Sequence, residues 1–156
     1  MKIDAEILIE APPRVVREVW LDFPHLSDWH DGSFWKNIEL TAPEKSNGLD
    51  AVPGDEVKCT MPSMTFKCNV AVNQPDHFRW ANSVPLMGSA GHDYYFMSVP
   101  GEANRTRFVQ HEDITGAMGL IMGMMGTKES SNKGWKKINE DLKAASEKRW
   151  AAESGH

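Results

Sequence analysis

His92 and Glu112 carry the strongest chemical signal in the sequence. In the stretch 92–99, His92, Tyr94 and Phe96 share one parity; in 105–114, Phe108, Gln110, Glu112 and Ile114 do the same. Alternation of this kind marks β-strands, and Pro100-Gly101-Glu102 between them reads as a hairpin turn. Adjacent antiparallel strands therefore set an imidazole and a carboxyl on one mostly apolar face. Burial raises a carboxyl pKa and a neighbouring imidazole moderates the rise, which gives a group able to move protons near neutral pH. Tyr94, on the same face, could donate to a ligand carbonyl or stabilise an enolate. The competing reading is structural: His92 and Glu112 satisfy one another as a buried polar pair, and an inward Tyr packs and hydrogen-bonds.

Other groups carry weaker chemistry. His25, Asp28, His30 and Asp31 are ligand types, but their spacing matches no recognised metal motif, and no metal is expected. Cys59 and Cys68 share the inward parity of strands joined by Met61-Pro62-Ser63. A cross-strand disulfide there would be strained, so both read as small packed thiols. Trp20, Trp29 and Trp35 crowd one segment, either as core and rim or as an aromatic wall for a flat ligand. A nucleophile elbow, a phosphate loop and a dinucleotide fingerprint are all missing, so no cofactor is expected.

Patterning defines the elements that must position these residues. Ile3, Ala5, Ile7 and Ile9 alternate with Lys2, Asp4, Glu6 and Glu10 as a half-buried strand. Pro12-Pro13 ends it and opens a short amphipathic helix over 13–23, with Val15, Val16, Val19, Trp20 and Phe23 on one face. Pro24 stops that helix, and Leu26 with Trp29 suggests a second short one ending near Gly32. Strands are expected at 36–42 and 55–61, around Ser46-Asn47-Gly48 and Pro53-Gly54. The stretch 64–72 alternates most clearly, with Met64, Phe66, Cys68, Val70 and Val72 inward; Phe78, Trp80, Asn82 and Val84 continue that parity. The Met- and Gly-rich segment 116–126 then leads into a long helix with Leu120, Met124, Ser131, Trp135, Ile138, Leu142 and Ala145 on one stripe. Methionines and glycines suit a moving portal over an apolar pocket, or a helix start thinned for steric reasons.

Composition sets the outer bounds. The 156 residues fit one domain, 1–156, with the last few residues expected as a disordered tail. Six Trp, six Phe and nine Met are too much apolar mass for a solvated chain. A net charge of −5 argues against a nucleic-acid partner. No run reaches the roughly 18 apolar residues of a spanning helix, so no stable membrane insertion is expected. The first residues alternate where a signal peptide needs an apolar block, which, with two thiols, points to a cytoplasmic protein.

The stretch Ile7-Leu8-Ile9-Glu10-Ala11-Pro12-Pro13-Arg14-Val15-Val16 resembles the opening strand and helix of the START-like (SRPBCC) superfamily. Val19-Trp20-Leu21-Asp22-Phe23-Pro24 followed by Trp29 is similar to its Val-Trp, Asp-Phe, Trp signature. His30-Asp31 stands where Asn-Pro is usual. Phe78-Arg79-Trp80, Gly91-His92-Asp93-Tyr94 and Thr106 to Gly116 resemble later strands of the polyketide cyclase/dehydrase and lipid-transport branch. The resemblance implies an α+β helix-grip fold: a curved antiparallel sheet of about six to seven strands around a long C-terminal helix, with two short helices after the first strand. It also implies a cavity for a small hydrophobic molecule. Parity and resemblance together put Trp80, His92, Tyr94, Glu112 and Trp135 on its wall, with Phe66, Phe96, Phe108, Gln110, Met124 and Trp29 as further ligand contacts.

Two functions fit these residues. One is a cofactor-free enzyme of polyketide-cyclase type that cyclises or dehydrates an aromatic or polyketide-derived substrate, with His92, Glu112 and Tyr94 as its chemical groups. The other is a non-catalytic carrier of a lipid-like ligand. An interaction module such as a chaperone cofactor is a third reading, and a homodimer stays open. Fold alone does not select among them.

Overall fold

A computed structural model describes residues 1–155. Seven strands form one antiparallel sheet: β1 (Lys2–Ile9), β2 (Asn37–Leu40), β3 (Glu56–Thr60), β4 (Thr65–Gln74), β5 (His77–Val84), β6 (Gly88–Val99) and β7 (Glu102–Ile114). Their order across the sheet is β1-β7-β6-β5-β4-β3-β2. Strands β2 to β7 form a meander, each beside its sequence neighbour, and β1 closes the far edge against β7. Three α-helices accompany them: α1 (Pro13–Leu21), α2 (Gly116–Met124) and α3 (Thr127–Ser154).

The first strand follows its pattern at the ends, where Ile3 and Ile9 are fully buried, while Ala5 and Ile7 are half-buried. Pro12, extended at φ −66°, leads into Pro13 at the first helical position, where a missing N–H costs nothing. Val15, Val16, Val19 and Trp20 are the buried face of α1. The helix ends at Leu21, two residues before the expected end, because Asp22 leaves helical geometry ahead of Pro24. The chain continues as a 3-10 segment over Phe23–Asp28 rather than as a helix reaching Gly32. Asn73 on β4 ties the long β2–β3 connection down: its Nδ2 donates to the carbonyls of Gly48 and Ala51, and its Oδ1 accepts from Arg17.

The expected single C-terminal helix is two. Gly126 adopts φ +73°, a left-handed conformation that favours glycine, and separates α2 from α3. The break rotates α2 out of the stripe that α3 continues. Leu120 and Met124, expected on that stripe, are exposed, whereas Trp135, Ile138, Asn139, Leu142 and Ser146 form the buried face of α3. The helix runs through Ser154 with Gly155 as its cap, so the expected loose tail is helical up to that point; His156 lies outside the described residues. The helix α3 lies along β1 and α1 with the concave face of the sheet beneath it. Among the described residues, no helix is long and apolar enough to cross a membrane.

Inward parity on β4 and β5 also has limits. Met64 lies in the turn before β4 and is about half exposed, and Val84 is 44% exposed where the β5–β6 hairpin projects past the core. Between these limits Cys68, Val70, Phe78 and Trp80 are buried as expected. Cys59 and Cys68 are buried free thiols, and the neighbouring Cys68 together with burial pushes the Cys59 thiol far up.

Candidate functional site

A cavity of about 200 Å³ lies beneath α2. Phe34 and Trp35 reach it from the segment before β2, Met61 and Met64 from the β3–β4 turn, and Phe66 from β4. Asn82, Ala90, His92, Glu112 and Ile114 supply the sheet wall; Met118 and Met122 of α2 and Trp135 of α3 supply the cover. An inner recess of about 50 Å³ adjoins it and shares Trp35, Phe66, Asn82, Ala90, His92 and Glu112, adding Cys68, Trp80 and Ala81.

The register explains the wall. Trp80 on β5 pairs with His92 on β6, which pairs with Glu112 on β7, so one row crosses three strands on the concave face. The next row, Asn82, Ala90 and Ile114, lies two residues further toward α2. Trp80 and Trp135 both reach His92, their rings 6.2 and 4.6 Å from the imidazole.

His92 and Glu112 face one another in this register but share no hydrogen bond. The His92 ring is held elsewhere. Its Nε2 lies 3.0 Å from Oε1 of Gln110, and its Nδ1 lies 3.3 Å from the Tyr94 hydroxyl. Gln110 Nε2 donates to Asn139 Oδ1 on α3 at 2.6 Å. A single direction of donation satisfies the whole chain: Tyr94 O–H to His92 Nδ1, His92 Nε2–H to Gln110, and Gln110 to Asn139. The imidazole is therefore neutral, sandwiched between Tyr94 at 4.2 Å and Trp135. Burial pushes its pKa down to about 3.

Glu112 is the opposite case. Its carboxyl lines both the cavity and the recess, and among the described residues no group hydrogen-bonds or ion-pairs with it. Burial raises its pKa to about 7, opposed in part by His111. The moderating imidazole expected at His92 is absent, because a neutral ring carries no charge to offer. Of the two expected proton-transfer groups, Glu112 alone has a free ionisable atom at the cavity.

Other expected contacts fall into three positions. Phe66, Trp80 and Trp135 line the cavity or its recess. Tyr94, Phe96, Phe108 and Gln110 are buried behind that wall: Phe96 and Phe108 pack on each other at 5.5 Å, and Trp20 covers Tyr94 at 4.7 Å. None of these four reaches the cavity, so the Tyr94 hydroxyl, spent on His92, does not meet a ligand carbonyl there. Trp29 and Met124 lie away from it. Met124 is 81% exposed on the outer side of α2, and Trp29 lines an open groove between α1 and the second half of α3.

Residues beyond the expected contacts complete the site. Asn82 is legible in the sequence as the polar member of an apolar parity. Met118 and Met122 belong to the segment that reads as a portal, but their four-residue spacing is shared by Leu120 and Met124, so it does not single them out. Phe34, Met61 and Ala90 come from connections and small positions with no comparable signal.

His30, Asp31 and Asp141 place ligand-type atoms within 4.8 Å of one another. That cluster is already internally satisfied. His30 Nδ1 meets Asp141 at 2.8 Å, its Nε2 accepts from the backbone N–H groups of Phe34 and Trp35, and Lys137 ion-pairs with both carboxylates. It fastens the segment before β2 to α3. His25 turns away to Asp22.

No protein-family model matches the chain, and no curated protein matches it by sequence. Solved structures do match in shape. A hypothetical protein of Helicobacter pylori superposes with a TM-score of 0.70 at 13% identity, over 94% of this chain and 88% of that one. The Zhui aromatase/cyclase from Streptomyces sp. R1128 gives 0.67 at 13% identity, over 96% and 94%. A START superfamily protein from Mycobacterium smegmatis gives 0.66 at 9% identity, over 94% and 97%. Identities this low speak for the fold alone: a seven-stranded curved sheet closed by a long C-terminal helix, with the shape of these neighbours, makes this a START-like (SRPBCC) fold.

Proposed function

We propose that the protein binds a small, mostly apolar ligand in the cavity under α2 and that Glu112 moves a proton on it. The carrying observation is Glu112 itself: a carboxyl without a partner among the described residues, at a mostly apolar wall, with a pKa of about 7. Such a group is costly to keep unless it meets something the protein does not supply. As a carboxylate it takes a proton from a carbon beside a ligand carbonyl, and the C–H electron pair passes to the carbonyl oxygen as an enolate. As the acid it returns a proton to a leaving hydroxyl. An aldol- or dehydration-type ring closure needs these two events and a substrate held in a folded shape. Two neighbours of the fold, the Zhui protein and the di-domain BexL, are aromatase/cyclases by name, which agrees with that chemistry.

A non-catalytic carrier is the second reading, and one observation favours it. Both nitrogens of His92 are committed, so the cavity offers one titratable group where a cyclase with separate acid and base would use two. Native mass spectrometry of freshly purified protein, followed by turnover assays on any co-purified molecule, tests both. A bound apolar molecule that Glu112→Gln retains but no longer converts establishes the enzyme. Retention with no product from either protein establishes the carrier. Absence of any apolar ligand, with no tryptophan quenching by aromatic probes, overturns the cavity reading.

A further inference from the structure

We infer that the ligand is a compact hydroxylated aromatic, with its hydroxyl seated in the inner recess between Glu112, Asn82 and Trp35. This inference rests on the cavity reading above and narrows the ligand to one chemical class.

Size is the first constraint. Cavity and recess together offer about 200 and about 50 Å³. Pockets for drug-sized ligands run from roughly 300 Å³ upward. At the packing density of a protein interior, the space here takes roughly 12–15 non-hydrogen atoms. A fused pair of aromatic rings fits. A four-ring system or an extended acyl chain does not, unless α2 withdraws.

Shape is the second. The recess is walled by rings: Trp35 stands 5.9 Å from Trp80 at 83° and 6.1 Å from Phe66, and Trp80 stands 6.2 Å from His92 at 87°. Rings in edge-to-face contact leave no room between them, so the recess is a blind end of about 50 Å³ that admits a substituent while the ring stays in the larger cavity.

Hydrogen-bonding capacity is the third. Three side chains that line the recess bear on this: Glu112, whose carboxyl makes no hydrogen bond or ion pair among the described residues, and Asn82 and Trp35, whose Oδ1 and Nε1 are buried without a partner. The first two accept when Glu112 is ionised, and the third only donates. A ligand group must then donate to the carboxyl or the amide oxygen and accept from the indole. A hydroxyl does both. An ammonium cannot accept, and an ether or ketone cannot donate. Asn82 Oδ1 and Trp35 Nε1 are shielded from solvent, so seating the hydroxyl requires both side chains to rotate toward the recess. Each buried polar atom left without a partner is unfavourable, and that cost is relieved when the hydroxyl arrives.

The test uses the intact chain and three probes: β-naphthol, its methyl ether and naphthalene, titrated by quenching of tryptophan fluorescence and by calorimetry near pH 8. The expected result is β-naphthol bound at least about tenfold more tightly than either of the others, since sites built around a hydroxyl reject analogues lacking it. Glu112→Leu, and separately Asn82→Leu, should shrink that ratio below about threefold while naphthalene affinity holds or rises. Circular dichroism of each variant confirms folding, and the wild-type ratio alone suffices if one fails to fold. Equal wild-type affinities for the three probes overturn the hydroxyl inference and leave the cavity reading standing. No binding of any probe overturns both.

Discussion

Glu112 and His92 are register partners on β7 and β6, yet the imidazole ignores the carboxyl and hydrogen-bonds diagonally to Gln110. One residue is thereby fixed as a neutral structural ring and the other is left as a carboxyl free to meet a ligand. If Glu112 is the group that moves protons, turnover of the ligand should follow a single ionisation with an apparent pKa of about 7. Glu112→Gln should lower kcat by about a hundredfold or more, the usual scale for general acid–base catalysis, with affinity nearly unchanged. His92→Asn should keep the same pH–rate midpoint. A midpoint that moves or vanishes in His92→Asn would return the imidazole to the chemistry.

The same pair predicts an unusual dependence of stability on pH. Glu112 rises from an ordinary 4.5 to about 7 on folding, so the folded protein holds a proton the unfolded chain has lost, and stability falls as pH climbs between those values. His92 drops from 6.5 to about 3, so its effect runs the other way: stability rises with pH across that interval and is lost in acid. From about pH 4.5 to 6.5 the two slopes cancel. Chemical denaturation should therefore show a plateau there. In Glu112→Gln the plateau should become a rise, and the variant should exceed wild type by an amount growing toward about pH 7, where it reaches about 3 kcal/mol. A stability difference that stays constant with pH would mean that Glu112 is not desolvated.

Strand parity places His92, Tyr94, Phe96, Gln110 and Glu112 on one face, and all five are there. Parity has period two and says nothing about which rung a side chain leans toward. The choice of Gln110 over Glu112 by His92 depends on Asn139, which arrives from a helix far along the chain. Tyr94 and Phe108 share the cavity's parity without lining it for a related reason: a concave face is core where α1 covers it and cavity only where α2 does. The phase of α2 is equally hidden. Its residues are apolar all round, so nothing in the pattern separates Met118 and Met122 inside from Leu120 and Met124 outside; the left-handed Gly126 sets that rotation.

Gln110 and Asn139 form the sheet-to-helix link that holds the imidazole. Both are buried, and Asn139→Leu would leave Gln110 Nε2 without a partner in an apolar setting. The expected loss is about 1–3 kcal/mol. In the double variant with Gln110→Leu the loss should be smaller than the sum of the two single losses, because one partner of a removed bond no longer suffers. Additive losses would show that the two amides are not coupled.

The cover of the cavity hangs on backbone contact between two glycine-bearing turns. A Cβ at Gly88 would lie 2.0 Å from the carbonyl oxygen of Thr115, and Gly88 itself sits at φ +115°, where other residues are strained. Gly116, at φ +71°, packs in the same way against Met87 and Gly88. These approaches allow Thr115 N–H to reach Ser89, and Met118 N–H to reach Met87, both at 2.8 Å. The helix α2 is thus pinned at its first turn and ends at the Gly126 break, while Leu120, Ile121 and Met124 face water. A helix fastened at one end and poorly buried should open locally well below the free energy of global unfolding. Amide exchange in 116–125 should therefore be faster than in β6 and β7, and should slow when β-naphthol is bound. Gly88→Ala should accelerate exchange in that segment and weaken ligand binding, with little change in the exchange of β1 or of residues 135–146. If exchange in α2 is as slow as in the central strands, and stays so in Gly88→Ala, the helix is a fixed wall and not a moving cover.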